Sequence, residues 1–269
     1  MLLVSRTPMI TRQPSRGPAL KSVLLLMLCA PAGVSCSPSA PAGSPAQPSP
    51  PAASPVRVLM LTATAGFRHE SIPAARQVMA ALGPANGFTL TATEDLSVLH
   101  ESALAAYDVL FFALTSGELA LTAGQKAAVL SFVSGGSGFV GAHSAADTLH
   151  GWPEYRSLLG ASFKEHPWTA PGRVVVEDRA HPTTAGLGDA FEMTEEFYTF
   201  AENPRPRVHV LLRLDAASVA ASGDYPLAWT LAYGSGRVYY NALGHFEASW
   251  RDPRFQRQLA AAITWAARR

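Results

Sequence analysis

The feature that most narrows the fold is a set of short, nearly uninterrupted apolar runs separated by stretches of helical periodicity. Val56-Arg57-Val58-Leu59-Met60-Leu61-Thr62, Phe88 to Thr93, Asp108-Val109-Leu110-Phe111-Phe112-Ala113 and Gly138-Phe139-Val140-Gly141-Ala142 have the length of strands rather than of helices. A strand that is apolar on both faces must be covered on both, which is the condition of a parallel sheet between two helical layers. The intervening segments supply those layers. An apolar-periodic stretch runs from Ile72 to about Leu82, and another reaches about Ser134 from Thr122 to Gln125, whose spacing matches a helix capping box. The alternation predicts a doubly wound α/β domain with a mostly parallel sheet and helices on both faces. Further on, Trp152 to Leu159 reads as a short helix. Strands follow at Arg173–Glu177, Val208–Leu214 and Leu227–Tyr233, and Gly234-Ser235-Gly236 turns the last of these into a hairpin with Arg237–Leu243. Asp252 to Arg268 closes the chain as an amphipathic helix. No second linker interrupts this region, so residues 56–269 are expected to form one domain with added β-hairpin strands.

The first 55 residues have a different composition. Arg6, Arg12, Arg16 and Lys21 precede the apolar run Val23-Leu24-Leu25-Leu26-Met27-Leu28, and small residues follow, the order of an export signal. Gly33-Val34-Ser35-Cys36 resembles a bacterial lipobox, with Gly33 where Leu is usual, and predicts lipidation of Cys36 at the end of a 1–36 signal segment. Ordinary secretion, with Cys36 a passenger, is the alternative. Residues 37–55 are rich in Pro, Ala and Ser and have little to bury, so they read as an extended tether. The protein is therefore expected in the bacterial periplasm or cell envelope, touching the membrane only through an N-terminal lipid. Both cysteines, Cys29 and Cys36, precede the domain, which leaves it without a disulfide or a cysteine metal site. A formal charge of +1 and no basic run argue against a nucleic-acid partner.

Chemistry should gather at the carboxyl ends of the parallel strands, where open α/β sheets bind ligands. Thr64-Ala65-Gly66-Phe67-Arg68-His69 follows the first strand, and Thr115-Ser116-Gly117-Glu118 follows the third. Gly138 to Ala142 ends in a corner of small residues, His143-Ser144-Ala145-Ala146-Asp147-Thr148. That corner has the mechanics of a nucleophile elbow, in which small neighbours let the backbone lift one side chain above the sheet edge. Here the residue is His143, expected at the surface, and an imidazole is better suited to binding a metal or moving a proton than to covalent attack. Gly244-His245 closes the last long strand, and joins this edge if that strand is parallel to the others.

Together Gly66-Phe67-Arg68-His69, Gly138 to Thr148, His181-Pro182, Glu196-Phe197-Tyr198 and Gly236-Arg237-Val238-Tyr239-Tyr240-Asn241-Ala242-Leu243-Gly244-His245 resemble the trehalose-utilisation (ThuA-like) family. The resemblance spans essentially the whole domain. It implies a flavodoxin-like sheet similar to that of class I glutamine amidotransferases, and a link to carbohydrate catabolism. His143 stands where the amidotransferases have their catalytic Cys, so glutaminase chemistry is rejected.

Two classes of function remain. The first is an enzyme acting on a glycoside or oxidised sugar, with His143, Asp147, Glu196 and Tyr198 as its catalytic groups. His69, His143, His245 and Glu196 form a candidate set for a divalent metal such as zinc, although no ordered spacing such as HExxH supports it. The same groups without metal can serve acid–base chemistry. Arg68, Glu118, His166 and Trp168 are the expected contacts to a small-molecule carbohydrate; Trp152 is more simply core. The second class is a non-catalytic, tethered sugar-binding module. The density of His and Glu favours the enzyme, because sugar binding alone relies more on amides and aromatics. His181 reads as a turn residue, His209 as a strand-face residue, and His100 and His150 have no evident partner.

Overall fold

The computed structural model describes residues 54–268. The export segment, Cys36 and all but the last two residues of the Pro/Ala/Ser-rich run lie outside the described residues. The elements follow in order β1 (Val56–Leu61), α1 (Ile72–Leu82), β2 (Phe88–Thr93), α2 (Glu101–Leu104), β3 (Val109–Ala113), α3 (Ala123–Ser134), β4 (Gly138–Ala142), α4 (Pro153–Leu159), β5 (Phe163–Val176), β6 (Ala190–Phe200), β7 (His209–Leu214), β8 (Tyr225–Tyr233), β9 (Gly236–Asn241), α5 (Glu247–Arg251) and α6 (Pro253–Ala266). Among them no helix is long and apolar enough to cross a membrane.

All strands join one sheet in the order β2-β1-β3-β4-β9-β8-β7-β5-β6. The strands from β2 to β9 in that order pair in parallel, as their continuous apolar sequences require. Glycines on β4 show that both faces are covered. A Cβ at Gly138 would meet Ala266 of α6, and one at Gly141 would meet Leu159 of α4. Positions three apart on a strand point to opposite faces, so α6 and α4 lie on opposite sides. α1 and α5 pack with α6, while α2 and α4 pack with α3. The capping box that opens α3 is present, with Thr122 Oγ1 accepting from Gln125 N and Thr122 N donating to Gln125 Oε1.

The expected hairpin forms, with β9 antiparallel to β8 and simultaneously parallel to β4. His245 thus leaves the sheet at the same edge as His69 and His143. The region after α4 differs from the sequence expectation. β5 begins at Phe163, ten residues before the expected strand start at Arg173, and Glu195 to Tyr198 belong to the strand β6. Pro167, Pro171 and Gly172 conceal β5, because such residues weaken strand interiors. They are accommodated because β5 pairs with β7 only over Val174–Val176, and its β6 register is interrupted between Phe163 and Trp168. One end of the β5–β6 ribbon packs beside the turn after β4 and beside α5. That contact returns β6 from the edge of the sheet to the His143 corner.

Candidate metal centre

The site is built from the His143 corner outward. β4 ends at Ala142, and His143 opens a 3-10 turn with φ +50°, a left-handed value rare for a residue with a Cβ. Tyr240 Oη donates to the His143 carbonyl at 2.8 Å and Tyr155 Oη to the Ala145 carbonyl at 2.8 Å, holding the strained corner in place. The elbow forms, but its histidine is fully buried, not presented at the surface. Its Nδ1 lies 2.8 Å from the Ala242 carbonyl on the segment after β9, and only a protonated Nδ1 can donate there. Nε2 is then the lone pair, and it faces Tyr198 Oη at 3.1 Å, His245 Nδ1 at 3.2 Å and Glu196 Oε2 at 3.6 Å.

His69, from the loop after β1, and His245, from the loop after β9, complete the group. The rings of His69, His143 and His245 stand edge-on to one another, with centroids 4.8–5.2 Å apart. Glu196, whose side chain is 12% exposed, reaches His245 Nδ1 with Oε2 at 3.1 Å and His166 Nδ1 with Oε1 at 3.3 Å. One ligand atom from each of His69, His143, Glu196 and His245 lies within 4.8 Å of the others.

Electrostatics favours ligand forms for two of these groups. Burial, reinforced by the neighbouring imidazoles, pushes His69 down to about 3, so it stays neutral around pH 7. Burial opposes ionisation of Glu196, but hydrogen bonds from His143 and His245 outweigh it and hold the carboxyl well below the usual range. His245 is raised, because Glu196 more than compensates for the effect of burial on the imidazolium. Without a cation, then, a proton shared by His245 and Glu196 offsets the carboxylate. Burial, with nearby Tyr240 and carboxylates, keeps the Tyr198 phenol protonated, so it donates to His143 Nε2.

A residue that sequence reasoning missed organises the loop. Glu195 is fully buried, and its carboxylate accepts from Gly244 N at 2.9 Å, His245 N at 3.2 Å and Glu196 N at 3.2 Å. Gly244 has φ +120°, which glycine adopts without a Cβ penalty. The signal was present in the alternation Phe191-Met193-Glu195-Phe197, which puts Glu195 on the buried phase of β6 and Glu196 and Tyr198 on the other.

The other expected residues divide. Asp147, His166, Glu196 and Tyr198 line a cavity of about 250 Å³ with Phe67, His69, Phe163 and His245. Arg68 lines a neighbouring cavity of about 510 Å³ and binds Glu94 through both guanidinium nitrogens at 2.9–3.0 Å. Glu118 is exposed and accepts from Gly151 N at 2.9 Å, and lines neither cavity. Trp168 packs edge-on against Tyr225, 4.9 Å away, and Trp152 stacks on Tyr155 in the core. His150, for which the sequence shows no partner, has two, Asp147 and Ser162. His100 caps α2 by accepting from Ala103 N.

Fold and site together define an α/β protein of the glutamine amidotransferase-like class with a His/Glu cluster at the sheet edge, a cluster that can hold a metal. The family model described as trehalose utilisation, ThuA, matches residues 57–266, and the chain belongs to that family. A ThuA-like protein of Bacteroides uniformis has a similar structure, with TM-score 0.68 and 25% identity over 82% of this chain and 95% of the other. One from Parabacteroides merdae gives TM-score 0.65 and 19% identity, over 79% and 90% of the two chains. A GMP synthase protein of Thermoplasma acidophilum shares the fold, with TM-score 0.50 and 11% identity over 79% and 94%. No curated protein matches the chain.

Proposed function

We propose that His69, His143, His245 and Glu196 bind a divalent cation of the zinc type, and that the protein uses it on a glycoside or oxidised sugar. One observation carries the reading. Tetrahedral ligands 2.0–2.1 Å from zinc lie about 3.3 Å from one another. His143 Nε2, His245 Nδ1 and Glu196 Oε2 are separated by 3.2, 3.1 and 3.6 Å. The Ala242 carbonyl fixes the His143 tautomer, which is the supporting hydrogen bond that metal-binding imidazoles usually have. When bound, such an ion polarises a sugar oxygen or makes a hydroxide from water at neutral pH.

The chain's own groups supply the rest. Phe67, Phe163 and Tyr198 give the adjoining cavity apolar walls for a sugar face. Asp147 and His166 stand at its rim as polar groups for hydroxyls and for proton transfer. The family's link to trehalose utilisation is the reason a carbohydrate is named.

A second reading rests on the Tyr198–His143 hydrogen bond, which occupies the same Nε2 lone pair a cation would take. It makes Tyr198, His143 and Glu196 a metal-free acid–base set. Elemental analysis of the purified full chain separates the two. One divalent ion per chain, lost in His143→Gln and Glu196→Gln, supports the metal. A chain that retains no ion after dialysis and takes up no zinc overturns it. The N-terminal sequence adds the proposal that Cys36 is lipidated and holds the domain at the cell envelope. Wild type should partition into detergent and Cys36→Ser into the aqueous phase; equal partitioning removes the anchor.

A further inference from the structure

Asp147 ends the turn that begins at His143 and lines the cavity beside the His/Glu cluster. Its Oδ1 lies 2.8 Å from His150 Nε2, and His150 Nδ1 lies 2.9 Å from Ser162 Oγ. The backbone around it is pinned. Gly117 N donates to the Asp147 carbonyl at 2.8 Å, Leu149 N to the Gly117 carbonyl at 3.0 Å, and Gly151 N to Glu118 at 2.9 Å. Leu149 takes a left-handed φ of +57°, and this backbone bend places His150 behind the carboxylate. No hydrogen bond to Asp147 Oδ2 is formed among the described residues.

We infer that His150, braced by Ser162, is a positioning residue that holds Asp147 with Oδ2 free for a substrate hydroxyl in the cavity. The inference rests on the carbohydrate-processing reading above. An exposed His–Asp pair alone would be worth little, and the side chains of His150 and Asp147 are 41% and 32% exposed. Two features separate this pair from a surface contact: its carboxylate borders the cavity, and its imidazole is held at both nitrogens. The arrangement has the parts of a Ser–His–Asp relay with the working end reversed. The carboxylate faces the cavity, while the serine serves as the brace.

The chemistry balances with one proton. In neutral His150, Nε2–H donates to Asp147 and Nδ1 accepts from Ser162; in the imidazolium both nitrogens donate, the second to the Ser162 oxygen lone pair. Either state keeps the carboxylate oriented. A proton leaving a substrate hydroxyl passes to Asp147 Oδ2 and from there to water in the open cavity, and no other bond changes. The charged or titratable neighbours are Glu118 behind His150 and, across the cavity from Asp147, His166, Glu196 and Tyr198.

The test has two arms on the full chain. In the first, the His150 ring is followed by ¹⁵N NMR. Neutral wild-type His150 should carry its proton on Nε2, and Asp147→Asn should lower its titration midpoint by about one unit. In the second, turnover of 4-nitrophenyl glucosides is measured against pH with zinc present. Asp147→Asn should lose about a hundredfold in kcat. His150→Ala should lose about tenfold in kcat with KM unchanged, and His150→Gln, which keeps a donor to Asp147, should recover most of that loss. An Nδ1–H tautomer, a midpoint unmoved by Asp147→Asn, or a His150→Ala enzyme equal to wild type in kcat at every pH overturns the assignment. If wild type turns over no glucoside, the carbohydrate reading loses its support on those substrates, and the NMR arm still decides whether His150 holds Asp147.

Discussion

At the scale of single residues, the site depends on groups that never face its cavity. Glu195 is the clearest case, because a buried carboxylate is costly unless its oxygens are satisfied, and here three backbone N–H groups satisfy it. Those bonds fix Gly244 and His245, and so fix where the His245 ring stands. Glu195→Ala leaves the three donors unpaired and should cost about 3 kcal/mol in denaturant unfolding. It should also weaken zinc binding about tenfold or more, as loss of a supporting hydrogen bond does at metal sites. A variant as stable as wild type would show that water replaces the carboxylate. The residues of the cluster itself were legible in the sequence, since imidazoles and a carboxylate close to strand ends are conspicuous. Glu195 was hidden because a doubled Glu does not reveal which member is inside until its strand is recognised. His150 was hidden for a different reason. Its partners come from a turn with a left-handed residue and from the start of β5, and neither leaves a pattern in sequence.

The elements divide by how much their sequences say about them. β1 to β4 and α3 carried uninterrupted apolar runs or a complete cap, and their bounds fall within a residue or two of expectation. β5 and β6 did not, because prolines tolerated on an unpaired edge obscure one and a mixed pattern obscures the other. The segment joining β6 to β7 is held by Arg205, which bonds Asp224 at 2.6–2.7 Å and Glu177 at 2.7–2.9 Å. The Arg205 hydrogen bonds are the main reason the Asp224 carboxyl sits below its usual range, with burial acting the other way. A carboxylate depressed in the folded state adds stability that is fully present above its unfolded pKa of about 3.9 and lost as pH falls through the lower folded value. Acid unfolding followed by circular dichroism should therefore show a shallower loss between about pH 4 and pH 2 in Arg205→Gln than in wild type. Equal slopes would mean that the ion pairs do not contribute in solution.

For the whole molecule, the topology brings distant parts of the chain to one point. His69 and His245 are separated by most of the domain in sequence, yet β1 and β9 both end at the same edge, because β9 runs parallel to β4 while forming a hairpin with β8. β6 reaches the site by a different route, through the ribbon that returns from the far end of the sheet. A cation held here would tie together the loops after β1, β4 and β9 and the strand β6, segments that the unfolded chain does not hold near one another. Binding to the native state alone stabilises it by mass action, about 2.7 kcal/mol when free zinc is a hundredfold above Kd. For a domain of this size about 1 kcal/mol raises Tm by roughly 2–4 °C, so zinc at that level should raise Tm by about 5–11 °C. The shift should reverse on chelation and disappear in Glu196→Gln and His69→Ala, whose side chains contribute ligands from β6 and from the loop after β1. Ligands must be deprotonated to bind, and His245 shares a proton with Glu196 in the absence of metal. The zinc-induced shift should therefore shrink between pH 7.5 and pH 5.5. A Tm that zinc leaves unchanged at pH 7.5 would exclude the metal and leave the cluster to the Tyr198–His143 acid–base pair.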